Sequence, residues 1–180
     1  RKEWHDAPTS HRALQDEAMK KPAFQSIINP DAACFANPKN MQQAIKDFCH
    51  HTGQHVPSTF GEFTRCIFDS LALRYRQVFD YLKAMAPFDL KTLHVIGGGS
   101  KNNVLNQFTS NAVGVPVVAG PSEGTAIGNI MLQAKAVGLV KDINEMRAVI
   151  NNSLELSYFE PQDADLWDEG YKTYLKVANA

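Results

Sequence analysis

The reading of this chain turns on one stretch, Thr92-Leu-His-Val-Ile-Gly-Gly-Gly-Ser-Lys-Asn-Asn-Val-Leu-Asn-Gln107. Leu93 to Ile96 is a short apolar run of the kind that forms a buried strand, and it ends in Gly97, Gly98 and Gly99. Beyond them Ser100 or Asn102 can cap a helix that carries Val104, Leu105 and Phe108 on its inner side. A strand, a turn without side chains and a helix N-terminus together let a ligand approach backbone directly.

Downstream the pattern repeats in outline. Val115 to Ala119 reads as a second buried strand, and Pro121 suits the first turn of a helix running through Ala126, Ile130, Leu132 and Ala136 to Gly138. Strand, helix, strand, helix in so short a span predicts parallel strands joined by right-handed crossovers. Asp142 and Glu145 open a further helix to about Asn151, Leu154 to Phe159 is extended, and Asp163 to Val177 is helical.

Upstream, Thr59 and Glu62 have the spacing of a capping box. Phe63, Ile67, Leu71, Val78, Tyr81 and Leu82 follow as one apolar stripe until Pro87. A helix of roughly 25 residues is long for a globular domain and is expected to span the molecule and back the sheet. Asn40 to Thr52 predicts another helix closed by Gly53, and Ser10 to Lys20 a shorter one stopped by Pro22. Phe24 to Ile28 reads as an extended apolar segment before the turn Asn29-Pro30-Asp31. No internal repeat or low-complexity linker interrupts the chain, so residues 1–180 are expected to form a single α/β domain, helix-rich with a few parallel strands.

The 180 residues are 44% hydrophobic and carry a formal charge of -1, which excludes a disordered chain and the basic face that nucleic acid requires. No apolar run approaches a membrane span. The chain opens at Arg1 in what reads as a helical context, and is expected to be a piece of a longer polypeptide. Cys34, Cys49 and Cys66 are too few for a disulfide framework and default to thiols, although the turn between two helices can bring Cys49 and Cys66 together.

Two familiar phosphate loops fail at the glycines. Lys101 is followed by Asn102, so there is no Gly-Lys-Ser/Thr of a P-loop, and Asn102 stands where a dinucleotide fingerprint has its third glycine. Glu123, the one acid at a suitable distance for a ribose, lies past the second strand at a helix start. Gly124, Ala126 and Gly128 allow close packing of that helix, which is the preferred reading of Gly128. His50, His51 and His55 beside Cys49 flank a helix C-terminus without a matching second ligand set, so no metal site is assigned. No nucleophile elbow and no placed general base is visible, so no catalytic residue is assigned either.

Across these segments the chain resembles the FGGY carbohydrate kinases of the actin-like ATPase superfamily. The likeness is carried by Ile27-Ile28-Asn29-Pro30-Asp31, Phe35-Ala36-Asn37-Pro38, Arg65 to Leu73, His94 to Gly99, Leu105-Asn106-Gln107 and Ala119-Gly120-Pro121. It is nearest to members acting on L-rhamnulose. The resemblance implies the C-terminal part of an actin-like, ribonuclease H-like domain that supplies one side of an ATP cleft. The implied reaction, in the cytoplasm, transfers the γ-phosphoryl of ATP, with Mg²⁺, to the 1-hydroxyl of L-rhamnulose. It implies nucleotide contact by Gly98, turn-shaping by Gly97 and Gly99, and an approach of Asn102 to the adenine or its ribose. In that family the first phosphate loop, the aspartate base and most sugar contacts lie upstream of what is present here, so this chain alone is expected to be inactive. Alternatives are a xylulose, fuculose or glycerol kinase of the same family, a non-catalytic actin-like interaction module, and an NAD-binding domain. Where this chain has Gly124, the family commonly has alanine.

Overall fold

Residues 10–178 are described in this computed structural model. The helical context expected at Arg1 lies outside the described residues. In chain order the elements are α1 (His11–Met19), α2 (Met41–His51), α3 (Phe60–Met85), β1 (Leu93–Val95), α4 (Asn103–Val113), β2 (Val117–Ala119), α5 (Gly124–Ala136), α6 (Ile143–Ser153), β3 (Ser157–Phe159) and α7 (Ala164–Ala178).

The strands form one sheet in the order β1-β2-β3. β1 and β2 are parallel with Leu93 opposite Val117 and Val95 opposite Ala119, as the strand–helix–strand pattern predicts. β3 runs antiparallel to β2, Val117 facing Phe159, so the sheet is mixed. The central strand is Val117-Val118-Ala119, buried at every position. An uninterrupted apolar run suits a strand covered on both faces.

α3 begins with the capping box that its sequence predicts: Thr59 Oγ1 accepts from the Glu62 amide, and the Glu62 carboxylate accepts from the amides of Ser58 and Thr59. Three amide and hydroxyl donors on one carboxylate hold Glu62 down to about 2. The helix does not back the sheet as expected. It packs chiefly on α1 and α4, and α4 in turn lies on β2 and β3. The stripe therefore meets helices, and its later residues Val78, Tyr81 and Leu82 are left exposed.

Two helix contacts position the site. α1 crosses α3 at Gly61, where a Cβ would stand 2.7 Å from the Glu17 carbonyl oxygen, and Ala18 beside it is fully buried. Only a residue without a side chain lets the helices approach that closely. α4 is clamped between α3 and α7 by a core of Leu73, Phe108, Ala112, Trp167 and Tyr174. Each such large side chain contributes about 1.5–3 kcal/mol by burial. The Arg65 guanidinium lies 4.7 Å over the Phe108 ring and bonds Asp69 at 2.8 Å.

The expected extended segment at Phe24 to Ile28 pairs with no strand. Phe24 sits at φ 58, and side chains take over the ladder's role. The Phe24 amide donates to Asp69, the Ile27 amide to Gln54 Oε1 and the Ile28 amide to Ser70 Oγ, while Gln54 Nε2 donates back to the Ile27 carbonyl. Pro121 also departs from expectation: it lies in a turn after β2, and α5 starts only at Gly124. Gly128 has open space around its Cβ position, so it does not serve close packing. α5 instead buries Met131 with Val140 and Met146 in a small core shared with α6. Cys49 and Cys66 meet as thiols in the α2–α3 core, where hydrogen bonding to Cys49 and burial push Cys66 well up.

Candidate functional site

β1 and β2 end side by side because they are parallel, and each runs straight into a glycine turn. In open α/β sheets the carboxyl ends of parallel strands are where ligands collect. The two turns are tied to one another. The Gly97 amide donates to the Pro121 carbonyl at 3.0 Å, and the Gly120 amide donates to the Val95 carbonyl at 2.8 Å. Ile96, between strand and glycines, packs against Gly124 at the start of α5, where a Cβ would lie 3.4 Å from Ile96 Cδ1. The loops after both strands thus form one braced ledge.

Gly97 takes φ 79 and ψ -164, a backbone state essentially restricted to glycine. That turn lifts Gly98 to Lys101 into a short 3₁₀ turn. Gly98 and Gly99 are exposed, and their amides find no acceptor among the described residues. Adding a Cβ at Gly98 meets nothing within 4 Å. The ledge therefore offers bare backbone and free donors.

Of the two proposed caps for the next helix, Asn102 is the one used. Asn102 Oδ1 accepts from the Leu105 amide at 3.1 Å. Ser100 is buried instead, its hydroxyl donating to the Gly97 carbonyl at 2.8 Å, and Asn106 Nδ2 donates to the Ser100 carbonyl at 2.9 Å. These bonds freeze the turn from inside. The structure keeps the four residues singled out in the sequence, Gly97, Gly98, Gly99 and Asn102, within one turn, with Ser100 and Lys101 between the glycines and Asn102.

Gln15 on α1 was not anticipated. Its Nε2 donates to Asn102 Oδ1 at 2.9 Å, across 87 positions of sequence. Nothing in the local pattern of α1 marks Gln15, since its partner is brought by the α1–α3 crossing. A hollow of about 330 Å³ lies behind the ledge, lined by Tyr75, Leu93, Val95, Gly99, Leu105 and Thr109 among others. A second hollow of about 590 Å³ shares His94 and Ile96 with the first and is lined also by Pro121, Arg147, Asn151 and Leu156. Among the described residues no cluster of three or more His, Cys, Asp or Glu side chains is arranged to hold a metal. No helix of the described residues is long and apolar enough to cross a membrane.

Comparison with known proteins gives this ledge a context. The chain is 55% identical over 168 residues to a rhamnulokinase of Bacteroides thetaiotaomicron, covering 93% of this chain and 34% of that protein. It is 40% identical to a rhamnulokinase of Bacillus subtilis over 88% of this chain and 33% of that one. The chain thus spans about a third of the length of the curated relatives it matches. Among solved structures, a glycerol kinase of Plasmodium falciparum with ADP superposes with TM-score 0.69 at 16% identity, covering 96% of this chain and 34% of that one. A xylulose kinase of Rhodospirillum rubrum superposes with TM-score 0.66 at 17% identity, covering 97% and 35%. At such identities the superpositions speak to fold alone, and they place this chain in the actin-like ATPase fold of those kinases. Residues 1–137 match the C-terminal domain of the FGGY family of carbohydrate kinases, and the chain belongs to that family.

Proposed function

We propose that this chain is the nucleotide-holding side of a sugar kinase that phosphorylates L-rhamnulose on its 1-hydroxyl, with residues 1–180 acting as one domain of a cytoplasmic enzyme. The substrate assignment is supported by the 55% identity to a protein named rhamnulokinase. The observation that carries the nucleotide reading is the braced ledge at the carboxyl ends of β1 and β2, with its bare, donor-rich glycines.

The residues present fit a nucleoside. Gly98 and Gly99 let a flat ring or sugar lie against backbone, because no Cβ stands in the way. Gly97 sets the turn that presents them, and Asn102 closes the turn with an amide nitrogen that donates to no acceptor among the described residues. ATP, when bound, supplies the γ-phosphoryl group, and Mg²⁺ travels with its phosphates. In this reading the chain orients the adenosine end and contributes neither the base nor most of the sugar contacts. Phosphoryl transfer depends on positioning and charge neutralisation around the γ-phosphate, so one side of the cleft does not turn over alone.

The test is an ADP-release assay on the polypeptide that carries this chain together with the upstream part its relatives possess. L-rhamnulose is the expected acceptor. Preference for xylulose or glycerol would remove the substrate assignment and leave the family. For the 180-residue chain alone, weak nucleotide binding and no turnover are expected; tight, Mg²⁺-dependent ATP binding in calorimetry would contradict a one-sided cleft.

A further inference from the structure

The hydrogen-bond polarity of Asn102 is decided by its neighbours. The Leu105 amide donates to Oδ1 at 3.1 Å, and a backbone N–H can only donate, so the carbonyl side of Asn102 must face α4. Gln15 reaches the same oxygen at 2.9 Å and must therefore present its NH₂. Both lone pairs of Oδ1 are then engaged. The Asn102 Nδ2 group donates to no acceptor among the described residues.

We propose that Gln15 is a positioning residue that locks Asn102 as a donor-only group, so that the site takes a hydrogen-bond acceptor of the ligand at that point. This rests on the nucleoside reading given above. The acceptor is a ring nitrogen of the base or an oxygen of the ribose. An asparagine free to turn over would accept or donate with equal ease and would select little. Turning the Asn102 carboxamide over loses the Leu105 bond and sets NH₂ against that amide, and Gln15, itself a carboxamide, has to turn over with it to keep its own bond. The reach of Gln15 is fixed by helix packing. α1 is seated on α3 by the Gly61–Glu17 approach and by buried Ala18, so Gln15 arrives at Asn102 as part of a rigid crossing.

The experiment titrates the 180-residue chain with ADP and follows the amide resonances of Gly97, Gly98 and Gly99 by NMR, which registers millimolar affinities. Asn102→Asp keeps an N-cap oxygen for α4 but offers the ligand no donor, and is expected to weaken ADP about tenfold. Gln15→Glu places a carboxylate against Oδ1 and favours the turned-over carboxamide; a similar loss is expected. In an Asn102→Ala background Gln15→Glu should then change ADP affinity no further. Gln15→Met keeps the packing of α1 without the donor, and serves where the charged variant unfolds; its loss should be smaller and equally dependent on Asn102. Deaza analogues lacking one ring nitrogen at a time, and a deoxyribose analogue, identify the acceptor. The native chain should discriminate against one of them, and the Gln15 variants should lose that discrimination.

If Gln15 variants weaken ADP equally with and without the Asn102 side chain, Gln15 acts through the fold and the positioning role is wrong. If they bind as the native chain does while Asn102→Ala is weakened, Gln15 has no such role and the nucleoside reading stands. If Asn102→Ala binds as well as native, or ADP moves none of the glycine resonances, the nucleoside reading falls and this inference with it.

Discussion

Replacing Gly97 and Gly98 by alanine separates what the turn needs from what a ligand needs. At Gly97 an added Cβ has open space, with nothing within 4 Å, so any loss of stability comes from the backbone. Its φ of 79 with ψ -164 lies in a region that side chains disfavour by about 1–3 kcal/mol. For a domain of this size that is a fall in Tm of roughly 2–12 °C. Gly98 also has nothing within 4 Å of its Cβ position, but its φ is not in the positive range. Alanine there loses no packing and narrows the unfolded ensemble, so stability should be unchanged or raised by about 0.4–1 kcal/mol. The methyl group would nevertheless stand on the exposed ledge where a nucleoside is proposed to rest. Gly98→Ala should therefore melt like the native chain and bind ADP at least about tenfold more weakly, a loss of about 1.4 kcal/mol. Circular dichroism melts and NMR titration give the two numbers independently. A Gly98→Ala melt as low as that of Gly97→Ala would refute the backbone assignment. Native ADP affinity in Gly98→Ala would refute the ledge as a ligand surface.

Two further outcomes follow from the scaffold. Gly61→Ala drives a methyl group into the Glu17 carbonyl at 2.7 Å, and should lower stability by about 1–3 kcal/mol in urea denaturation; an unchanged midpoint would mean that α1 is free to shift. Stability should also pass through a maximum in mild acid. Glu62 lies at about 2 against an ordinary 4.5, so its contribution is present above 4.5 and lost as pH falls toward 2. Asp69 goes the other way: burial pushes it up to about 6 from 3.8, opposed by Arg65 and the Phe24 amide. The folded state holds that proton more tightly than the unfolded one, so stability falls as pH rises from 3.8 through 6. Urea midpoints across this range should lose the acid limb in Glu62→Gln and the falling limb in Asp69→Asn, and a profile unchanged by either would contradict the assignment.

The parts of this molecule legible in sequence are those where a local rule acts without competition. The capping box of Thr59 and Glu62 is found as read, because both partners lie within one turn of helix. The parallel pairing of β1 and β2 follows from an apolar run, a helix and a second apolar run. Phe24 to Ile28 misled because its apolar residues looked like a strand, whereas Gln54, Ser70 and Asp69 supply its backbone partners from distant positions. The periodicity of α3 showed that one face is buried but could not say against what, and α1 and α4 took the place assigned to the sheet. The usual preference of proline for a first helical turn does not hold at Pro121. Here the turn is held by bonds to β1 that only the folded chain creates.

The same distinction bears on how the site works. Its motif-bearing residues, Gly97 to Gly99 and Asn102, lie within six positions and are readable, yet they state only that backbone is presented and that a carboxamide is near. Which way the carboxamide points is set by the Leu105 amide within the motif, and Gln15, far outside it, adds a second bond to the same oxygen. What steadies the glycines is the turn at Gly120 and Pro121, joined to them across the ends of two strands. A motif transplanted with its own residues alone would keep the bare ledge and the Leu105 bond but lose the second bond that holds Asn102 from α1. On the proposed nucleoside reading, selectivity for an acceptor is expected to depend on the α1–α3–α4 packing as much as on the glycine turn. Gly61, remote from any ligand, belongs to it because the close helix crossing there delivers Gln15.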